Sequence, residues 1–372
     1  MFLAFHEMKR AKVRFGLLTG AVGLLVFLIL FQQTLLSGLV NQFIGALKHQ
    51  SGEVLVYNDQ ARKNLEGSII LPEQLAAIQQ IEGVADASPL GEATFTVTAG
   101  GQERDTVIFG YELGRAGAPT TLIEGRLPAA ADEAVASEKD TADGYGLGDV
   151  IQVQPDGAQI TVVGIARDLN YSVSPVLFVD WATYEAAKRT RNPDAERILP
   201  SAVAIHVVDG GSASQVVDRI NATVAGVEAM TRQQAIDGSP GVSSVRSSFA
   251  VILALFYLVV PLVTGLFFLI VTFQKASALT LLRAIGAPAK VLVRSLLVQV
   301  VVVTLAGSVV AFGLYAGALQ GVKNLGVHVE VMPAVQTSLV VLALALATSL
   351  VAIRRVLRID PIAATTGAGV TL

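Results

Sequence analysis

Cysteine is absent from the 372 residues of the chain, which excludes disulfides, thiolate metal sites and a cysteine nucleophile. Charge is scarce as well: Asp, Glu, Lys and Arg make up 15% of the residues while apolar types make up 52%. That balance is too apolar for a single water-soluble core of this length, so part of the chain belongs in lipid. With a net charge of only −3 there is no global basic field to recruit nucleic acid. Histidine occurs at His6, His49, His206 and His328, widely spaced and without an HExxH-like pattern, so no metal site is expected. The chain has no G-x-S-x-G nucleophile elbow, and His206 lies in an apolar strand pattern that reads as a packed core position. No catalytic residue is expected.

What the sequence does have is long uncharged apolar runs. A helix spanning the roughly 30 Å hydrocarbon core needs about 20 apolar residues. Four stretches offer this: Phe15 to Val40, Phe249 to Phe273, Ser295 to Leu319, and the shorter Val335 to Ile353. Basic residues flank them asymmetrically. Lys9, Arg10, Lys12 and Arg14 precede the first, Lys275, Arg283, Lys290 and Arg294 separate the second from the third, and Arg354, Arg355 and Arg358 follow the fourth. The positive-inside rule places these clusters, and both termini, in the cytoplasm. The first run is too long for the apolar region of a cleaved signal peptide.

The expected organisation is an α-helical membrane protein with four transmembrane helices and an α+β extracytoplasmic domain inserted between the first and second. Residues 1–14 form a cytoplasmic interfacial helix, 15–43 the first span, 44–248 the outer domain and 249–273 the second span. A cytoplasmic segment, 274–294, leads to the third span at 295–319; an outer loop at 320–334 leads to the fourth at 335–353, and 354–372 is a cytoplasmic tail. Gln32, Gln33 and Thr34 in the first span should face other helices, because unpaired polar groups are costly in lipid. In the outer domain, strand patterns at Glu53–Tyr57, Thr94–Thr98, Thr106–Tyr111, Val150–Val153, Gln159–Ile165, Val176–Val179 and Val203–Val208 alternate with helical patterns at Pro72–Ile81, Trp181–Arg189 and Ser212–Ala225. The polar stretch from Val227 to Ser248 reads as the return to the membrane.

The chain lacks a G-x-x-x-x-G-K-S/T loop, so ATP-driven work would need another subunit carrying ATP and Mg. The segment 274–294 offers a contact: helical periodicity over Lys275–Ile285, a break at Gly286-Ala287-Pro288, then a basic turn entering the third span. Leu281, Leu282, Arg283, Ile285, Gly286 and Pro288 form the candidate coupling surface, with an ordinary anchoring loop as the alternative.

This span order, together with LLRAIGAP at 281–288, RRVLRIDPIAA at 354–364, EGRLP at 124–128 and GLGDVIQV at 146–153, resembles the FtsX/MacB-like permeases of ABC systems over essentially the whole chain. The resemblance implies a homodimer working with two copies of a separate ATPase. One departure is visible: QKASALT at 274–280 stands where the family carries an acidic, arginine-containing turn. The N-terminus, EVLVYNDQARKNLEGSII at 53–70 and NYSVSPVLF at 170–178 are most similar to the haem-exporting branch of that family in Gram-positive bacteria. This implies haem as a membrane-dissolved substrate, with no permanently bound cofactor. Candidate haem contacts near the outer interface are Glu53, His49 and Tyr171 as ligands and Phe43 and Phe249 as packing surfaces. A scaffold relaying ATPase motion to a cell-wall hydrolase or sensor kinase, and an exporter of peptides, lipids or antibiotics, remain open alternatives.

Overall fold

The computed structural model describes residues 11–274, 289–321 and 331–357. Most of the interfacial helix expected over 1–14, the coupling residues Leu281, Leu282, Arg283, Ile285, Gly286 and Pro288, most of the loop at 320–334 and the tail beyond Leu357 lie outside them. The chain divides into two compact units, residues 1–36 with 248–372, and residues 37–247.

The first unit is helical. It contains the N-terminal part of α1 (Lys12–His49) and nearly all of α6 (Val242–Gln274), together with α7 (Ala289–Gly321) and α8 (Val331–Leu357). Among the described residues, three helices are long and apolar enough to cross a membrane, over Lys12–His49, Val242–Val271 and Val293–Ala318. Where a fourth span was expected, the described apolar part of α8 covers Val335–Val351, a shorter stretch than the other three, so the fourth span is not established by length. Phe15, Leu18, Val22, Val26, Ile29 and Leu30 recur at helical spacing and form a buried stripe against Val260 and Phe268 of α6, Val300 and Val303 of α7 and Val341 and Ala345 of α8. Gly23 of α1 and Gly307 of α7 lie face to face: a Cβ on Gly23 would stand 3.0 Å from the Gly307 carbonyl oxygen. Small residues let two backbones approach this closely in an apolar medium.

The three consecutive polar residues of α1 each reach a different helix. Gln32 Nε2 donates to the Phe249 carbonyl of α6 at 2.9 Å, Gln33 Oε1 accepts from Thr337 Oγ1 of α8 at 3.1 Å, and the Thr34 and Tyr315 hydroxyls of α1 and α7 are 2.6 Å apart. Successive residues on a helix point about 100° apart, so three in a row can address three neighbours. Pro261 lies within the continuous α6, where the Thr264 hydroxyl bonds the Val260 carbonyl at 2.6 Å.

The second unit is built on one mixed sheet. Its strands are β1 (Val54–Asn58), β2 (Val84–Ala99), β3 (Gln102–Tyr111), β4 (Leu122–Gly125), β5 (Glu133–Ser137), β6 (Val150–Val153), β7 (Gln159–Ala166), β8 (Val176–Asp180), β9 (Ala202–Val207) and β10 (Val227–Thr231). They lie in the order β10-β1-β9-β2-β3-β8-β5-β7-β4, with β6 pairing β2 and β7. The helices are α2 (Pro72–Ile78), α3 (Trp181–Arg191), α4 (Ala213–Thr223) and α5 (Arg232–Gly238). β1 is buried without alternation from Val54 to Tyr57 because both its faces are covered: Val54 and Val56 join the core with Val216 and Ile220 of α4, while Leu55 and Tyr57 join the opposite core with Phe109 and Phe178. α3 starts at Asp180, whose carboxylate accepts from the Ala182 and Thr183 N–H groups. Its Tyr184 ring rests on the paired Gly91 and Gly110, where a Cβ on either would collide with the ring.

The polar stretch read as a simple return contains β10 and α5, and α6 begins at Val242. Thr231 and Gln234 make reciprocal backbone contacts that cap α5, the S/T-x-x-E/Q pattern of a helix start.

Candidate functional site: the clasp on helix α1

Within the second unit, the loop from Asp168 to Ser174 grips the last turns of α1. The Ser172 N–H donates to the Phe43 carbonyl at 3.0 Å and the Val173 N–H to the Gln42 carbonyl at 2.9 Å, while the Ala46 N–H donates to the Asn170 carbonyl at 3.0 Å. The Gln42 carbonyl and the Ala46 N–H face each other in an ordinary helix, and the loop adds a further partner to each. Three residues beyond Ala46, the His49 carbonyl at the helix end accepts from the Thr120 N–H at 2.8 Å and the Thr120 hydroxyl at 2.7 Å. Helix ends leave carbonyls without internal partners, and here the domain supplies one.

Close approach depends on Gly45: a Cβ there would collide with the Asp168 carbonyl. The loop itself is strained. Asp168, Ser172 and Val173 have φ of 54°, 48° and 64°, the left-handed region, which costs most for the β-branched Val173. What holds it is a set of buried polar contacts. Lys139 Nζ and Asp168 Oδ1 pair at 2.6 Å with both side chains below 10% exposure. Asn170 Nδ2 donates to Asp140 Oδ2 at 3.1 Å, and burial pushes the Asp140 carboxyl up to about 6. A charged pair shielded from water is costly to break from one side, which locks the loop in register.

Three of the expected haem contacts meet at this clasp. Phe43 supplies a clasped carbonyl, and its ring lies beside Gly241. His49 is the last residue of α1, and its Nε2 is buried with no hydrogen-bond partner among the described residues. Tyr171 is only 7% exposed and packs edge-to-face on Phe109 with centroids 5.4 Å apart; burial raises its hydroxyl well above the usual phenol range. In this arrangement Tyr171 is a core residue rather than an open ligand, because the strand-like bridge to Ile44 turns its ring inward.

Glu53 makes a different set of contacts. It precedes β1, and its Oε2 accepts from the Val207 N–H at 3.0 Å and lies 3.3 Å from His206 Nδ1. The other ring nitrogen of His206 is 3.3 Å from the Ser51 hydroxyl. The His206 side chain is 33% exposed, so it is not the packed core residue its strand pattern suggested; the apolar run of β9 ends at Ile205. Since Val54 pairs with Ile205, the residues flanking that pair, Glu53 and His206, fall side by side. Phe249 lies in the other unit, where its carbonyl takes the Gln32 amide.

The apolar helices and their polar cross-ties describe a membrane subunit, and residues 250–361 match the family described as FtsX-like permease C-terminal. The C-terminal helices are thus similar to those of FtsX-like permeases, and the chain is similar along most of its length to permeases of ABC systems. Its full-length relatives include permeases named HrtB, of hemin transport systems. That of Staphylococcus epidermidis is 26% identical over 311 residues, covering 84% of this chain and 83% of the relative. That of Staphylococcus haemolyticus is 23% identical over 376 residues, covering 99% of each. An uncharacterized ABC transporter permease of Mycobacterium tuberculosis is 25% identical over 368 residues, covering 97% of this chain and 98% of the relative.

Proposed function

We propose that this permease extrudes haem from the membrane, as a homodimer driven by two copies of a separate HrtA-like ATPase. The observation that carries this reading is the alignment with hemin-transport permeases along nearly the entire chain. In it, four helices span the membrane, both termini are cytoplasmic, and residues 44–248 form the extracytoplasmic domain, in accord with the basic flanks of the apolar helices. Leu281, Leu282, Arg283, Ile285, Gly286 and Pro288 take the push of the ATPase. The clasp is placed to take part: α1 runs 38 residues, and its last turns are the ones the Asp168–Ser174 loop grips.

Haem is a planar apolar ring that dissolves in lipid, and ferric iron accepts a carboxylate or imidazole. Glu53 supports ligation better than Tyr171 because its side chain is 47% exposed and its Oε2 is already oriented by the Val207 N–H. His49 stands next in rank, and Phe43 and Phe249 offer packing surfaces. A haem-sensitive host lacking its own exporter tests the reading: the permease with its ATPase should restore growth in haem, and Glu53→Ala should restore it poorly. The alternative of a scaffold for a cell-wall hydrolase predicts no effect on haem sensitivity and altered cell separation instead.

A further inference from the structure

Three segments of the second unit meet around a small apolar pocket. The Ile70 N–H donates to the Pro200 carbonyl at 3.0 Å, which lays the chain entering α2 along the loop that ends at Pro200. Trp181 opens α3, and its indole N–H donates to Glu185 Oε1 at 3.2 Å, a pairing of residues four apart on one helix face that fixes the ring. The pocket between these segments has a volume of about 230 Å³. Its lining includes the buried Ile70, Ile198 and Pro200, the half-buried Leu75 and Trp181, and Leu71, which is 41% exposed. Ile69, next in the chain to Ile70, is 54% exposed. Large apolar side chains left in water around a concavity are what a ligand site offers.

The volume sets the size of the guest. Drug-sized ligands occupy about 300–1,000 Å³, so this pocket takes a single ring or a short alkyl chain. The charges at the pocket set the sign. Two ionic side chains line it, Glu185 and Arg197. The Glu185 carboxylate is already engaged, by the Trp181 indole and by the Arg189 guanidinium at 3.5 Å. Arg197 is exposed and pairs with no carboxylate among the described residues; Asp194 and Glu196 of the same loop are exposed and do not line the pocket. The unmatched charge is therefore positive. A free guanidinium beside an apolar pocket offers two parallel N–H donors to a carboxylate.

We propose that this pocket binds a small apolar carboxylate, one ring or short chain ending in a single carboxylate group, with the apolar part against Trp181, Leu71 and Leu75 and the carboxylate on Arg197. A cationic guest is repelled by Arg197 and finds Glu185 occupied. A neutral guest of the same shape gains the apolar contact alone. The site shares no residue with the clasp or with the expected haem contacts, and it is independent of the haem reading.

The test uses the full-length protein in detergent and reads Trp181, the one tryptophan of the chain and itself part of the pocket lining. Hydrocinnamate, hydrocinnamyl alcohol and phenylpropylammonium, probes of one shape and three charges, are titrated at millimolar concentration and neutral pH. Hydrocinnamate should give a saturable change in Trp181 emission. The alcohol and the ammonium should bind about tenfold more weakly, the loss expected when a hydrogen bond to a charged group is removed. Partitioning into micelles acts in the opposite order, because it favours the neutral alcohol. Arg197→Gln should weaken hydrocinnamate about tenfold and leave the alcohol unchanged, for the same reason. An unaltered urea midpoint shows that this variant keeps its fold; if the midpoint falls, Leu71→Glu, which sets a carboxylate beside the pocket, takes its place and should weaken hydrocinnamate to a similar degree. No saturable change with hydrocinnamate, equal or tighter binding of the alcohol or the ammonium, or unchanged hydrocinnamate affinity in the folded variant overturns the site.

Discussion

The backbone N–H of Ser172 and the carbonyl of Phe43 meet at 3.0 Å, joining a loop of the folded domain to a helix more than a hundred residues earlier in the chain. Together with the Val173–Gln42 and Ala46–Asn170 bonds, this makes the helix end part of the domain rather than a tether to it.

Gly45 is where the clasp is most easily broken. Gly45→Val would drive a branched side chain into the Asp168 carbonyl, and overpacking of this kind typically costs about 1–3 kcal/mol. Trp181, the one tryptophan of the chain, sits in the domain and reports its unfolding. The urea midpoint by Trp181 fluorescence should fall, and ATP hydrolysis by the assembled transporter should continue with export lost. Unchanged stability and unchanged export would show that the loop yields freely.

The Thr34–Tyr315 contact should be worth a measurable amount in the membrane unit. Interhelical hydrogen bonds in membranes contribute about 0.6 kcal/mol, at most about 2. A double-mutant cycle with Thr34→Val and Tyr315→Phe should return a coupling of that order in steric-trap or detergent unfolding. Strict additivity would mean that the two hydroxyls ignore each other.

Stability of the domain should fall as pH rises through neutrality. Burial raises Glu92 to about 7 and Asp140 to about 6, so the folded chain favours their protonated forms. Between the unfolded carboxylate range and these values the folded state binds the extra protons, so stability is greatest below about pH 4 to 5 and declines above. Each group contributes roughly 3 kcal/mol at full effect, at about 1.4 kcal/mol per unit. The Trp181 urea midpoint should therefore be higher at pH 5 than at pH 8, and Glu92→Gln with Asp140→Asn should flatten the difference. His49, whose ring burial disfavours in its charged form, acts in the opposite sense in both proteins, so an equal pH dependence in the parent and the double variant would contradict the burial of these carboxyls.

Much of this architecture was legible in the sequence, and the reasons differ by element. Gln32, Gln33 and Thr34 announced their role because lipid offers polar groups no other partner. The strands at Val150–Val153 and Gln159–Ala166 showed as period-two runs between glycines. β10 and α5 were hidden by their polarity, although the Thr231-x-x-Gln234 cap was there to be read. The clasp could not be seen at all: it is made of backbone groups, and nothing in the side chains of Phe43 and Ser172 records that they meet. His206 was masked by the apolar residues before it, and the pairing of Val54 with Ile205 was needed to set it beside Glu53. The coupling residues around Leu281 remain proposals from the family resemblance.

The orientation of the chain is open to labelling because it contains no native cysteine. A cysteine replacing the exposed Asp209 of the domain should react with an impermeant maleimide on whole cells, and one replacing Thr280 should react only after lysis. Reaction at Thr280 on intact cells would invert the topology.

The most direct test of the central claim is a haem titration of the purified permease, read by the Soret band. Saturable binding with a shifted Soret maximum, weakened at least tenfold by Glu53→Ala and little changed by Tyr171→Phe, is the expected result. A linear, unsaturable spectrum identical to haem in empty detergent micelles would contradict haem as the substrate.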